Sequence, residues 1–183
     1  SEILGGSPYG FYVFNCQAPD AGNMEILIEV GTSQQKKDYL TPLLEGKTRS
    51  CFAMTEPGYA GSNPTRMGTT AEKENGNYII NGHKWFTSSF DGADFAIVMV
   101  VTDPNEENPY KRASQIIVPT NTEGVEFVRN VSIMGHPGGG WESHAEIKFK
   151  NVIVPESNIL GSEGDGLDRK STRLNSSHRC ISY

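Results

Sequence analysis

Cys51-Phe52-Ala53-Met54-Thr55-Glu56-Pro57-Gly58-Tyr59-Ala60-Gly61-Ser62-Asn63, followed after an interval by Asn81-Gly82-His83-Lys84-Trp85-Phe86-Thr87, is the stretch that decides the fold. In its first half Phe52 and Met54 alternate with smaller residues, which predicts a short strand over 50–55. Pro57 has no N–H to donate to a ladder and Gly58 accepts positive φ, so the strand stops there. The loop down to Pro64 is rich in small residues and carries no charge after Glu56. Its backbone N–H groups can therefore approach an anionic ligand without steric conflict. The second half predicts another strand segment, with Asn81-Gly82 as the turn that joins antiparallel strands over 78–81 and 84–88. On these residues alone the stretch is a β-hairpin after a glycine-rich surface loop.

The flanks extend the same texture. Further strands are predicted over 67–73, 93–102, 114–119, 125–129, 144–150 and 152–154, separated by Asn75-Gly76, Asp91-Gly92 and Glu123-Gly124. The apolar run from Phe95 to Val101 has the length and β-branching of a buried strand. Many short strands with frequent turn residues predict a mainly β domain, an antiparallel barrel or sandwich, without crossover helices. Ahead of it, Met24, Ile26, Leu27, Ile28 and Val30 predict a helix stopped by Gly31. Thr32 or Ser33 caps a second helix with Leu40, Leu43 and Leu44 as its stripe, ended by Gly46. The expected organisation is a helical segment over 1–47, a β domain over 48–166, and a disordered or foreign tail over 167–183. That tail is polar and basic, without helical periodicity. The charged loop over 103–112 is expected to be solvated. The glycine loop over 133–141 lacks the Lys-Ser/Thr ending of a P-loop and precedes a strand.

Composition narrows the function classes. The 183 residues are 36% hydrophobic and 21% charged, ordinary for a globular domain with a core. A net charge of −6 argues against nucleic acid as a partner. No segment approaches the roughly 20 apolar residues of a membrane helix. Cys16, Cys51 and Cys180 show no metal or redox spacing, nor do His83, His136, His144 and His178, so no metal is expected and a reducing compartment is the default. The chain opens at Ser1 without a basic-then-apolar leader and without an initiator methionine, so the natural N-terminus is expected upstream.

Thr55-Glu56-Pro57 followed by Gly61-Ser62, and then Trp85-Phe86-Thr87 after Ile80-Asn81-Gly82, resembles the flavin-binding middle domain of the acyl-CoA dehydrogenases. Asn15-Cys16-Gln17-Ala18-Pro19-Asp20 with Gly22-Asn23-Met24-Glu25 is similar to the branch of that family containing members ten and eleven. Gly31-Thr32 with Gln35-Lys36, then Leu40, Pro42-Leu43-Leu44 and Gly46, resembles the end of the family's N-terminal helical domain. Val152-Ile153-Val154-Pro155-Glu156 with Asn158-Ile159-Leu160-Gly161 resembles the exit of its middle domain. The usual Gly-Ser-Asp is Gly61-Ser62-Asn63 here.

The resemblance implies FAD, with Phe52, Met54 and Thr55 lining the ring and Gly61 and Ser62 at the pyrophosphate. Trp85 would pack on the ring and Thr87 would lie at N5. Period-two alternation places Trp85 and Thr87 on one face of their strand. From the residues alone Trp85 can equally be barrel core and Ser62 a turn cap; Trp141 lines an acyl-CoA entrance or sits at a subunit contact. The implied reaction is α,β-dehydrogenation of an acyl-CoA thioester: a carboxylate takes the α-proton while the β-hydride moves to the flavin. The family's base is a glutamate in a C-terminal helical domain, so no catalytic residue is assigned and the fragment alone is expected to be inactive. Glu56 is read as a structural loop residue. An acyl-CoA oxidase or a non-catalytic β-sandwich binding module are the alternatives. An electron-transfer flavoprotein or similar acceptor, homo-oligomerisation, and a cytoplasmic (bacterial) or mitochondrial or peroxisomal (eukaryotic) location complete the expectations.

Overall fold

The structure is a computed structural model that describes residues 2–7 and 9–167. Apart from Leu167, the tail expected over 167–183 lies outside the described residues. Seven strands make one curled sheet: β1 (Ser50–Ala53), β2 (Thr70–Glu74), β3 (Asn77–Ser88), β4 (Phe95–Val101), β5 (Ala113–Pro119), β6 (Val125–Asn130) and β7 (His144–Pro155). Their order is β1-β4-β2-β3-β7-β6, with β5 on β4.

β4 is the centre of this arrangement, and its unbroken apolar sequence shows why. Ala96, Val98 and Val100 enter the core inside the curl. Phe95 and Ile97 enter a second core under the helices, and Met99 a third. A strand buried on both faces has no polar alternation to offer. β5 occupies one edge of β4 along its whole length. On the other edge β1 pairs in parallel with Phe95 to Val98, and β2 meets Val101. The chain thus leaves that edge after Ala53 and rejoins it at Thr70, throwing out the loop that carries Gly61 and Ser62. The parallel β1–β4 pair departs from the purely antiparallel expectation. The intervening β2–β3 hairpin gives the chain enough length to return in the same direction.

The predicted turn at Asn81-Gly82 is not there. β3 runs straight through it, and the hairpin turn is Asn75-Gly76, with φ of 51° and 78°. Instead, Asn81 and Gly82 form an irregularity against β7, where the Asn81 carboxamide bonds Asn151 through its Nδ2 (3.0 Å) and accepts from the Asn151 N–H (2.8 Å). Gly82 is needed because a Cβ there would lie 2.3 Å from Thr69 Oγ1. The two separate strands expected over 144–150 and 152–154 likewise merge into β7, bent at Asn151 (φ 51°).

Helices α1 (Glu2–Gly5), α2 (Gly10–Val13), α3 (Asp20–Val30), α4 (Ser33–Gln35) and α5 (Thr41–Leu44) precede the sheet, with a π-helical turn at Lys36–Leu40 joining α4 to α5. Thr32 and Gln35 form the capping box that starts α4. Ile26, Leu27, Leu40 and Leu43 cover Phe95, Ile97 and Ile117 together with Leu160. Buried polar bonds lock this contact. Asp20 Oδ1 accepts from the Ser50 N–H (2.8 Å) and Oγ (2.7 Å), and Asn23 Nδ2 donates to Ser50 Oγ (2.8 Å). Gln35 donates to the carbonyls of Ser157 and Ile159, which holds the segment leaving the sheet.

Candidate functional site

The candidate site is built where β1 ends, the loop over 56–69 begins, and β3 passes alongside. The Trp85 N–H donates to the Thr55 carbonyl at 2.9 Å, so the two motifs meet through the main chain. Gly61 folds back onto Thr55: a Cβ at Gly61 would lie 3.4 Å from Thr55 Cγ2. Met54, Thr55 and Gly61 share the walls of a small depression with Tyr59, Asn63 and Met67. Phe52 and Met54 turn to the opposite face from Cys51 and Ala53 and pack beside Met67 against Met99 and Leu167. Ser62 is exposed on the loop. Asn63 Oδ1 accepts from the N–H (3.2 Å) and hydroxyl (2.7 Å) of Thr65, and either an aspartate or an asparagine can do that.

The alternation expected for Trp85 and Thr87 is corrected. Lys84 pairs with Ile147 and Thr87 with Ala145, leaving two residues of β3 against Glu146 alone. This is a bulge, with Phe86 in the left-handed region at φ 49°. The extra residue moves Thr87 onto the buried face of Lys84, Ala145 and Ile147, while Trp85 packs edge-on against Phe86 (centroids 4.8 Å apart). Trp85 Nε1 and Thr87 Oγ1 are both buried and have no hydrogen-bond partner among the described residues. A buried donor or hydroxyl left unpaired is costly. Among the described residues Asn23 Oδ1, Thr69 Oγ1 and four other buried side-chain atoms are unpaired as well, so the two at the bulge leave room for a polar group from a bound molecule without singling one out. The donors and the bulk-free loop suit an anionic cofactor with a flat polar ring system, and FAD is such a molecule.

Sequence reasoning missed the charge pair beneath this wall. Lys84 is fully buried, and its Nζ donates to Glu56 Oε1 (2.8 Å) and to the Met54 carbonyl (2.9 Å). Glu56 also accepts from the N–H groups of Gly68 (2.6 Å) and Thr69 (2.9 Å), which closes the loop at its base. Burial works to raise the Glu56 pKa, but the Lys84 charge and these hydrogen bonds outweigh it and hold the carboxyl below the usual glutamate range. A lysine in a strand reads as solvated from sequence, and no local signal marks a partner 28 positions away. The structural reading of Glu56 stands.

A cleft of about 660 Å³ lies beyond Thr87, lined by Gln17, Ser88, Ser89, His136, Trp141 and His144 among others. Ser88 Oγ and His144 Nδ1 are 2.8 Å apart on its wall. Trp141 lies 4.9 Å from the Tyr12 ring and accepts from Ser89 Oγ through its carbonyl, so it is a half-buried wall residue. Among the described residues no cluster of His, Cys, Asp or Glu could hold a metal, and no helix is long and apolar enough to cross a membrane.

Residues 51–152 match the sequence model of the acyl-CoA dehydrogenase middle domain. Acyl-CoA dehydrogenase family member 10 of Mus musculus is 42% identical over 186 residues, covering 98% of this chain and 17% of that protein. Family member 11 of Gallus gallus is 44% identical over 173 residues, covering 92% of this chain and 22% of that protein. A solved Mycobacterium abscessus structure assigned as an acyl-CoA dehydrogenase superposes with a TM-score of 0.89 at 39% identity, covering 94% of this chain and 42% of that one. The chain therefore spans 17–22% of the length of these two curated relatives.

Proposed function

Because the chain belongs to the acyl-CoA dehydrogenase family, we propose that it forms one wall of the FAD site in an enzyme that desaturates an acyl-CoA thioester between its α and β carbons. The observation that carries this reading is the joining of Thr55 to Trp85 by one main-chain bond, with no partner among the described residues for the buried Nε1 of Trp85. Phe52, Met54, Thr55, Gly61, Ser62, Trp85 and Thr87 would hold the cofactor. FAD supplies, when bound, the two-electron oxidising capacity that no side chain has.

The chain's own residues bind and orient. Gly61 and Ser62 offer main-chain and hydroxyl donors on an exposed loop suited to a pyrophosphate. Trp85 offers an apolar face, and Thr87 a hydroxyl without a partner among the described residues. Glu56 does not serve as the base, since both its oxygens are engaged by Lys84, Gly68 and Thr69. A carboxylate from another part of the whole protein would take the α-proton, and an electron-transfer flavoprotein or similar acceptor would be the redox partner. Family membership weighs against a β-sandwich binding module. Full-length protein should purify yellow, and anaerobic addition of acyl-CoA should bleach the flavin band. A folded, colourless full-length protein that gains no colour with added FAD would overturn the proposal.

A further inference from the structure

We propose that Lys84 is a positioning residue, whose buried bonds to Glu56 and to the Met54 carbonyl hold the loop over 56–69 and the Trp85 bulge in one fixed arrangement. The inference rests on the FAD reading above and adds a residue that this reading does not use. Two segments, residues 54–56 and β3, meet at one ammonium group. Met54 precedes Thr55, Glu56 follows it, and Lys84 precedes Trp85, so each bonded residue is, or adjoins, a proposed cofactor contact. Through Glu56 the same group reaches the N–H groups of Gly68 and Thr69, at the far end of the loop that carries Gly61 and Ser62. The loop exit is pressed onto β3, where no Cβ fits between Gly82 and Thr69.

The chemistry of the pair supports positioning over mere cohesion. Taking an ammonium and a carboxylate out of water costs about as much as their attraction returns, and well-packed apolar residues often do as well. What apolar residues cannot do is dictate direction. The Lys84 ammonium must point at two particular oxygens, and the Glu56 carboxylate at two particular N–H groups. An alternative course of the loop would leave buried charge unpaired. The bulge at Trp85-Phe86 needs such support, since Phe86 occupies a conformation that non-glycine residues rarely adopt.

The test uses full-length apoprotein titrated with FAD, reading the dissociation constant and the fluorescence of the bound flavin. Thermal unfolding of the apoprotein is measured alongside. Lys84→Met, Glu56→Gln and the double variant are compared with wild type. The expected result is a dissociation constant raised at least tenfold in Lys84→Met, with bound-flavin fluorescence increased because the indole no longer packs in place. The double variant buries no unpaired charge, so it should recover most of the lost thermal stability yet stay at least tenfold weaker for FAD. It supplies the readout if the single variants do not fold. Wild-type affinity and wild-type flavin fluorescence in the folded double variant would overturn the positioning role. Failure of wild type itself to bind FAD would instead refute the cofactor reading.

Discussion

Thr87 is the residue at which the competing demands on this chain are easiest to see. Its hydroxyl is buried against the face shared with Ala145 and Ile147, where valine would pack equally well. An unpaired buried hydroxyl costs roughly 1–3 kcal/mol, so folding alone gives no reason for it. Thr87→Val should therefore have opposite effects on folding and binding. The apoprotein should be unchanged or more stable by about 1 kcal/mol in urea unfolding, while retention of FAD through gel filtration falls. A loss of apoprotein stability without loss of cofactor would show that the hydroxyl serves the fold. Asn63 illustrates the converse: its side-chain oxygen is occupied by the N–H and hydroxyl of Thr65, a role that asparagine and aspartate fill alike.

At the level of elements, the loop over 56–69 and strand β3 are held by the same charge pair, and this makes the loop sensitive to acid. The Glu56 carboxyl is drawn upward by burial and more strongly downward by Lys84 and the hydrogen bonds, so its folded value lies below the ordinary 4.5. A depressed folded value contributes stability above the unfolded value, and that contribution is lost as pH falls through the folded one. Wild type should therefore lose stability steadily from about pH 4.5 downward. Glu56→Gln, weaker at neutral pH, should show a shallower decline over that range; parallel curves would contradict the assignment. Legibility at this scale followed locality. The β4 run and a helix cap at Thr32 or Ser33 are readable because their causes lie within a few residues, and the structure settles the cap on Thr32. Asn-Gly occurs at both 75–76 and 81–82, and nothing local separates the turn from the bulge. Thr69 packed on Gly82 and the pairing of Asn81 with Asn151 decide between them, and both are distant in sequence. The bulge that splits Trp85 from Thr87 was hidden for the same reason.

Across the whole molecule, β4 acts as a partition. One face belongs to the curl of the sheet, the other to the helices at one end and to Met99, Ala113 and Leu167 at the other. The segment that leaves β7 is tied back by Gln35 and by the Tyr78 hydroxyl, which donates to Glu163. Helices, sheet and exit strap thus form one support for the loop and bulge, which explains why motifs so far apart in sequence meet at Thr55 and Trp85. The measurement that bears most directly on this is the quenching of indole fluorescence as FAD is titrated into full-length apoprotein, in wild type, Trp85→Phe and Trp141→Phe. A strong quench is expected, surviving in Trp141→Phe and mostly lost in Trp85→Phe. FAD binding with a quench untouched by Trp85→Phe would place the cofactor elsewhere and contradict that expectation.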